Sequence, residues 1–189
     1  LSEENMKKIF YITGNEHKFR NASTFLQKSG IKAEQKKLKL TEIQAEDAVS
    51  VALKKARDAY EIVNEPLFIN DASWHIPALN GFPGPYMHNI VNWFDSDDLL
   101  NLMAPKKDRT IILKDTIIYK DRNHEKVFTN NIVGCILKHP TEGDGPFVRK
   151  IVSLEKGGKS LAETNTIGFS DRERVLWDEF ALWVKRNLP

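Results

Sequence analysis

The chain has 189 residues, 41% hydrophobic and 29% charged, which is enough apolar material for one sizeable core and fits no disordered, collagenous or disulfide-rich class. Its 28 Lys+Arg offset 26 Asp+Glu to a formal net charge of +2, too even a balance to signal a nucleic-acid or membrane-surface partner. No apolar run approaches the roughly 18 residues of a membrane span, no signal-peptide core opens the chain, and Cys135 in the apolar run 132–137 reads as a buried thiol of a reducing, cytoplasmic setting. Residues 1–5 are polar, precede Met6, and read as an expression remnant or a frayed end, so the expected domain is a single one over 6–189.

In chain order, Lys7–Ile12 reads as a first strand, and Thr13-Gly14-Asn15 turns it into a helix over Glu16–Ser29, with Asn15 as N-cap and Gly30 past its end. A strand-glycine-helix junction presents backbone N–H groups at a helix N-terminus, and Lys18 stands one turn inside, which makes phosphate the natural ligand. A capped helix with a solvated lysine has the same spacing, because Thr-Gly-Asn is much less specific than a Walker A loop. Ile31–Leu40 reads as a Lys-rich edge strand whose end presents Glu42. Glu46–Val63 reads as a helix packing through Ala48, Ala52, Ala56 and Ala59, and Leu67–Ile69 as a buried strand. Strand and helix alternating in this way predict an α/β core.

Asp71 is then expected where that strand ends, the position at which open α/β folds place ligands. The stiff loop Asn80-Gly-Phe-Pro-Gly-Pro85 follows, its glycines free to take φ > 0 and its prolines fixing φ. An ordinary turn with Asp71 as a capping residue would look the same. Further on, Tyr86–Phe94 has helical spacing, Ser96-Asp-Asp caps a short helix to Met103, and Arg109–Tyr119 with Lys126–Leu137 form a hairpin of a second, more antiparallel lobe. Phe147–Leu154 is expected to be a strand, Gly157-Gly158 a turn, and Ser170–Leu188 a closing amphipathic helix buried through Leu176, Phe180, Trp183 and Val184.

Thr13-Gly14-Asn15-x-x-Lys18, Glu42, Lys54, Asp71 and Ala78-Leu-Asn-Gly-Phe-Pro-Gly-Pro-Tyr86, in this order and spacing, resemble the inosine triphosphate pyrophosphatase family, which hydrolyses non-standard purine nucleoside triphosphates. The likeness covers nearly the whole chain, and Leu79–Tyr86 is its closest match. It implies an elongated, two-lobed α/β fold with a long mixed central sheet flanked by helices, a nucleoside triphosphate in a cleft between the lobes, Mg²⁺ as cofactor, and a homodimer. Carried over residue by residue, Thr13, Gly14, Asn15, Lys18 and Lys54 hold the phosphates, Glu42 and Asp71 bind Mg²⁺, and Asp71 orients or deprotonates the attacking water while Lys18 assists. Ser170 and Arg172 stand where the family contacts the base.

This sequence departs from the family at clustered positions. Asn70 replaces the first of two acidic residues, and Ala72 replaces a hydroxyl residue. Val148-Arg149-Lys150 stands in place of an aromatic-Asp-Pro segment, and Thr166 and Asp171 replace a lysine and a histidine. Ser170-x-x-Glu173 is also a capping box, which accounts for Ser170 with no ligand. The resemblance therefore implies a pyrophosphatase with altered base selectivity. The alternatives are a nucleotide-binding protein of the same fold without turnover, and a maf-like pyrophosphatase.

Overall fold

The structure, a computed structural model, describes residues 6–41, 45, 47–155, 158–164 and 168–188. It is α/β, with strand order β2-β1-β3-β5-β6-β7 in one mixed sheet and β4 paired to β3. The chain divides into two compact units. The first holds the described residues up to Asp71, Asp115–Asn130 and the described residues from 168 onward; the second holds Ala72–Lys114 and the described residues from Asn131 to 164.

In the first unit, β1 (Lys7–Ile12) and β2 (Ile31–Lys36) pair in parallel from Lys7↔Ile31 to Ile12↔Lys36, joined by helix α1 (Glu16–Lys28). On its other side β1 pairs in parallel with β3 (Leu67–His75) through Phe10↔Leu67 and Tyr11↔Phe68, the crossover being helix α2 (Ala48–Val63). Strands covered on both faces must be apolar at every position, and here successive residues divide between two cores. Ile9, Tyr11, Phe68, Ile117 and Tyr119 pack with Ala22 and Leu26 of α1 and with Leu176, Trp177, Phe180 and Val184 of α6 (Asp171–Asn187). Ile12, Leu67, Ile69 and Ile118 pack with Ala52, Ala56, Ala59 and Val63 of α2, whose alanines bring the helix close to the strands.

β3 is longer than its apolar start foretold and carries Asp71 inside it rather than at its end. The reason is β4 (Pro83–Gly84): the loop folds back through Asn80 and Gly81, both at positive φ, and pairs Trp74↔Gly84 and His75↔Pro83. The second unit also contains α3 (Met87–Trp93) and α4 (Ser96–Met103), capped by Asp95 with Asp98 rather than by Ser96. Strands β5 (Thr110–Lys120) and β6 (Glu125–Ile136) run through both units.

The expected strand over Phe147–Leu154 is instead helix α5 (Phe147–Ile151) followed by the two-residue strand β7 (Val152–Ser153). Val148 and Ile151 are buried three residues apart, a helical interval that a stretch this short does not separate from alternation. Cys135, expected to be buried, is half-buried: along β6 it alternates with buried Ile132 and Ile136 and shares the face of exposed Val133. β2 stops at Lys36, while Leu38 and Leu40 pack against the α2 core outside any strand. Among the described residues, no helix is long and apolar enough to cross a membrane.

Candidate functional site

The turn after β1 is built by its own side chains. Asn15, extended at φ −91°, accepts hydrogen bonds at Oδ1 from the backbone N–H of His17 (2.9 Å) and Lys18 (3.1 Å), while its own N–H donates to Thr13 Oγ1 at 3.1 Å. A Cβ placed on Gly14 would meet nothing within 4 Å, so the interior does not demand this glycine. Its effect is to leave the backbone at the start of α1 approachable from outside, at the positive end of the helix dipole. Lys18 reaches from the first turn to β3, where its Nζ donates to the Asn70 carbonyl at 3.3 Å.

Strand alternation sets what β3 presents. Phe68 belongs to the α1–α6 core and Ile69 to the α2 core, so Asn70 falls on the first face and Asp71 on the second. Asn70 Nδ2 donates to Asp115 Oδ1 of β5 at 2.6 Å and to the Thr116 carbonyl at 3.2 Å. Asp115 is 7% exposed. Burial pushes its carboxyl up to about 6; the Asn70 hydrogen bond and the Lys18 charge restrain the rise, and Glu173 adds to it. The Tyr11 hydroxyl is buried with no hydrogen bond of good geometry. Burial holds it well above the ordinary phenol range; the charge of Asp115 and, more weakly, of Asp71 adds to the rise, and the Thr13 hydroxyl offsets part of it.

Thr13, Gly14, Asn15 and Lys18 thus share the turn from β1 into α1, and Lys18 links that turn to the Asn70 carbonyl, one residue before Asp71 within β3. Lys54 is on α2, where Asp58 of the same helix holds its ammonium at 2.6 Å. Ser170 is the N-cap of α6 in the capping box with Glu173: its hydroxyl donates to Glu173 Oε2 at 2.6 Å, and the Glu173 N–H returns to Ser170 Oγ. Arg172 is exposed in the first turn of α6, its carbonyl accepting from Asn130 Nδ2 at 2.7 Å. In the second unit the Arg149 guanidinium donates to the Leu161 carbonyl at 2.7 Å, and its stem lies where a side chain on Gly145 would go. This arginine therefore serves its own loop. Glu42 and Thr166 lie outside the described residues.

Sequence reasoning missed Asp115 and Tyr11. The available signal was a carboxylate interrupting the β-type run Thr110-Ile-Ile-Leu-Lys-Asp-Thr-Ile-Ile-Tyr119, where alternation forces one of Lys114 and Asp115 inward.

Among the described residues, no group of three or more His, Cys, Asp or Glu side chains could hold a metal ion alone.

Comparison with known proteins gives a consistent picture. The sequence profile of the Ham1 family matches residues 9–167. A dITP/XTP pyrophosphatase of Thermococcus kodakarensis is 30% identical over 185 residues, 96% of this chain and 99% of that protein. One from Methanosarcina mazei is 32% identical over 142 residues, 75% of this chain and 77% of that protein. A solved HAM1 protein from Coxiella burnetii shares the fold with a TM-score of 0.79 at 16% identity, covering 96% of this chain and 100% of that one. A profile match across most of the chain, on a fold already seen in solved HAM1 proteins, means that this chain belongs to the Ham1 family.

Proposed function

We propose that this chain, a nucleoside triphosphate pyrophosphatase of the Ham1 family, cleaves deaminated purine nucleoside triphosphates of the kind named for its relatives, dITP and XTP, into nucleoside monophosphate and pyrophosphate. The observation that carries the reading is the Lys18 bridge from the open Gly14 turn at the end of β1 to the Asn70 carbonyl of the Asn70-Asp71 peptide within β3. The backbone N–H groups of the turn and Lys18 would bind the triphosphate tail and stabilise charge gathering on departing pyrophosphate. Water attacks the α-phosphorus as the bridging oxygen to the β-phosphorus leaves, and Asp71 orients that water and accepts its proton. Asp71 and Glu42 would hold Mg²⁺, which supplies further neutralisation of the phosphate charge. Lys54 reaches the phosphates only by exchanging Asp58 for them, a trade of one anionic partner for another.

A drift in base selectivity is part of this reading. Arg149 is spent on the Leu161 carbonyl and Ser170 on its capping box, so neither is a ready donor for a purine edge. A site built on fewer fixed donors rejects a wrong base less strongly. The resemblance also supports a homodimer acting on free nucleotide, and sedimentation of the purified protein would test the dimer.

The deciding experiment is pyrophosphate release from inosine, xanthosine, adenosine, guanosine and pyrimidine triphosphates with Mg²⁺. The expected result is turnover with the deaminated purines favoured by less than about 10²-fold, the discrimination a well-built hydrogen-bonding pocket reaches or exceeds. A larger preference would overturn the drift in selectivity. Tight binding without pyrophosphate release from any of them would overturn the pyrophosphatase reading in favour of a binding protein.

A further inference from the structure

β5 buries Ile111, Leu113, Ile117, Ile118 and Tyr119, yet between them it also encloses the carboxylate of Asp115. An enclosed carboxylate opposes folding unless it is bonded, and this one has a short, charge-assisted bond from Asn70 Nδ2. Asn70 is a three-way link. Its amide ties β3 to Asp115 and the Thr116 carbonyl of β5, its carbonyl seats Lys18 of α1, and its peptide bond leads directly into Asp71. The buried Tyr11 hydroxyl feels the charges of both Asp115 and Asp71, so the two carboxylates share this corner although they stand on opposite faces of the sheet.

We infer that Asp115 is a positioning residue of this site: by gripping the Asn70 amide it fixes the peptide that aims Asp71 and the carbonyl that seats Lys18, and it provides from β5 the buried carboxylate for the α1–α6 face of β3. The inference rests on the pyrophosphatase reading above. The carboxylate–amide pair itself is reversible across the two strands, because donor and acceptor can trade places while their bond and the charge are kept, at the loss of the Thr116 carbonyl contact.

The experiment is therefore a swap. Asp115→Asn leaves Asn70 a neutral acceptor, Asn70→Asp sets two carboxylates against each other, and Asn70→Asp/Asp115→Asn reverses the pair. With inosine triphosphate as substrate, each single variant should lose roughly tenfold or more in kcat with a smaller change in KM, the signature of a misaimed group rather than of lost binding. The double variant should recover most of that loss in kcat, with a thermal midpoint above both singles and below wild type, because the carboxylate introduced by Asn70→Asp cannot donate to the Thr116 carbonyl. Should a single variant fail to fold, a native, active double variant still supports the pairing. Singles that turn over like wild type overturn the inference, as does a folded double variant whose loss is the product of the two singles. Absence of turnover by wild type on every triphosphate is a separate result, which overturns the pyrophosphatase reading instead.

Discussion

Asn70 and Asp71 are neighbours in sequence with opposite surroundings, one bonded across to β5 and the other on the α2 face. Asp71→Asn keeps the shape and removes the charge proposed to orient water, so kcat should fall by at least about 10²-fold, and near-normal turnover would refute the assignment. The two lysines should separate. Lys18 is seated on the Asn70 carbonyl at the phosphate turn, whereas Lys54 already has Asp58, so Lys18→Ala should cost about 1.5–3 kcal/mol in kcat/KM and Lys54→Ala less.

Asp115 makes a pH prediction whose sign follows from its raised carboxyl. Burial lifts it to about 6 from 3.8, so the stability it contributes is fully present below about pH 4 and is lost as pH rises through 6. A shift of that size is worth up to about 3 kcal/mol. Urea unfolding of Asp115→Asn and wild type at pH 4 and pH 7.5 should show the comparison moving in the variant's favour at the higher pH; a constant difference would contradict the burial account. The Asn15 cap was legible because a glycine and an asparagine at a strand-to-helix junction are local chemistry. Asp115 was not, because its partner Asn70 is 45 residues away and only strand pairing brings them together.

At the scale of elements, the same contrast holds. β1, α1, α2 and α6 were readable to within about two residues because each combines an unbroken apolar pattern with a local start or stop signal. α5 was misread because five residues are too few to fix a period, and β3 was read short because the strand that prolongs it, β4, is two residues in a loop. The close approach of β6 to β7 was invisible: a Cβ on Gly134 would sit 2.5 Å from the Ser153 carbonyl oxygen, a backbone contact that no pattern announces. The capping box of α6 was legible and leads to a clean test. Ser170→Ala should cost about 1 kcal/mol of stability, and if Ser170 only caps, KM for inosine triphosphate should stay at the wild-type value. A KM change without loss of stability would restore its role as a base contact.

For the whole molecule, the α/β class followed from alternation of the elements and the mixed sheet from the family resemblance, while the grouping of segments followed from neither. The first unit is assembled from three separated stretches of chain, and its core closes only when Leu176, Trp177, Phe180 and Val184 of α6 cover Tyr11, Phe68 and Phe128. Removing residues 170–189 should therefore leave those aromatics wet, giving a product that binds an apolar dye and precipitates, whereas a native-like soluble product would show that the core closes without α6.

During translation this arrangement imposes an order. Lys18, Asn70 and Asp115 leave the ribosome while the helix that seals their core is still unmade, and the nascent chain must carry Phe68 and Tyr11 uncovered for the time needed to add the intervening residues, on the order of ten seconds at the usual 5–20 residues per second. Until α6 emerges, the protection of those side chains falls to whatever chaperone meets the chain at the exit tunnel.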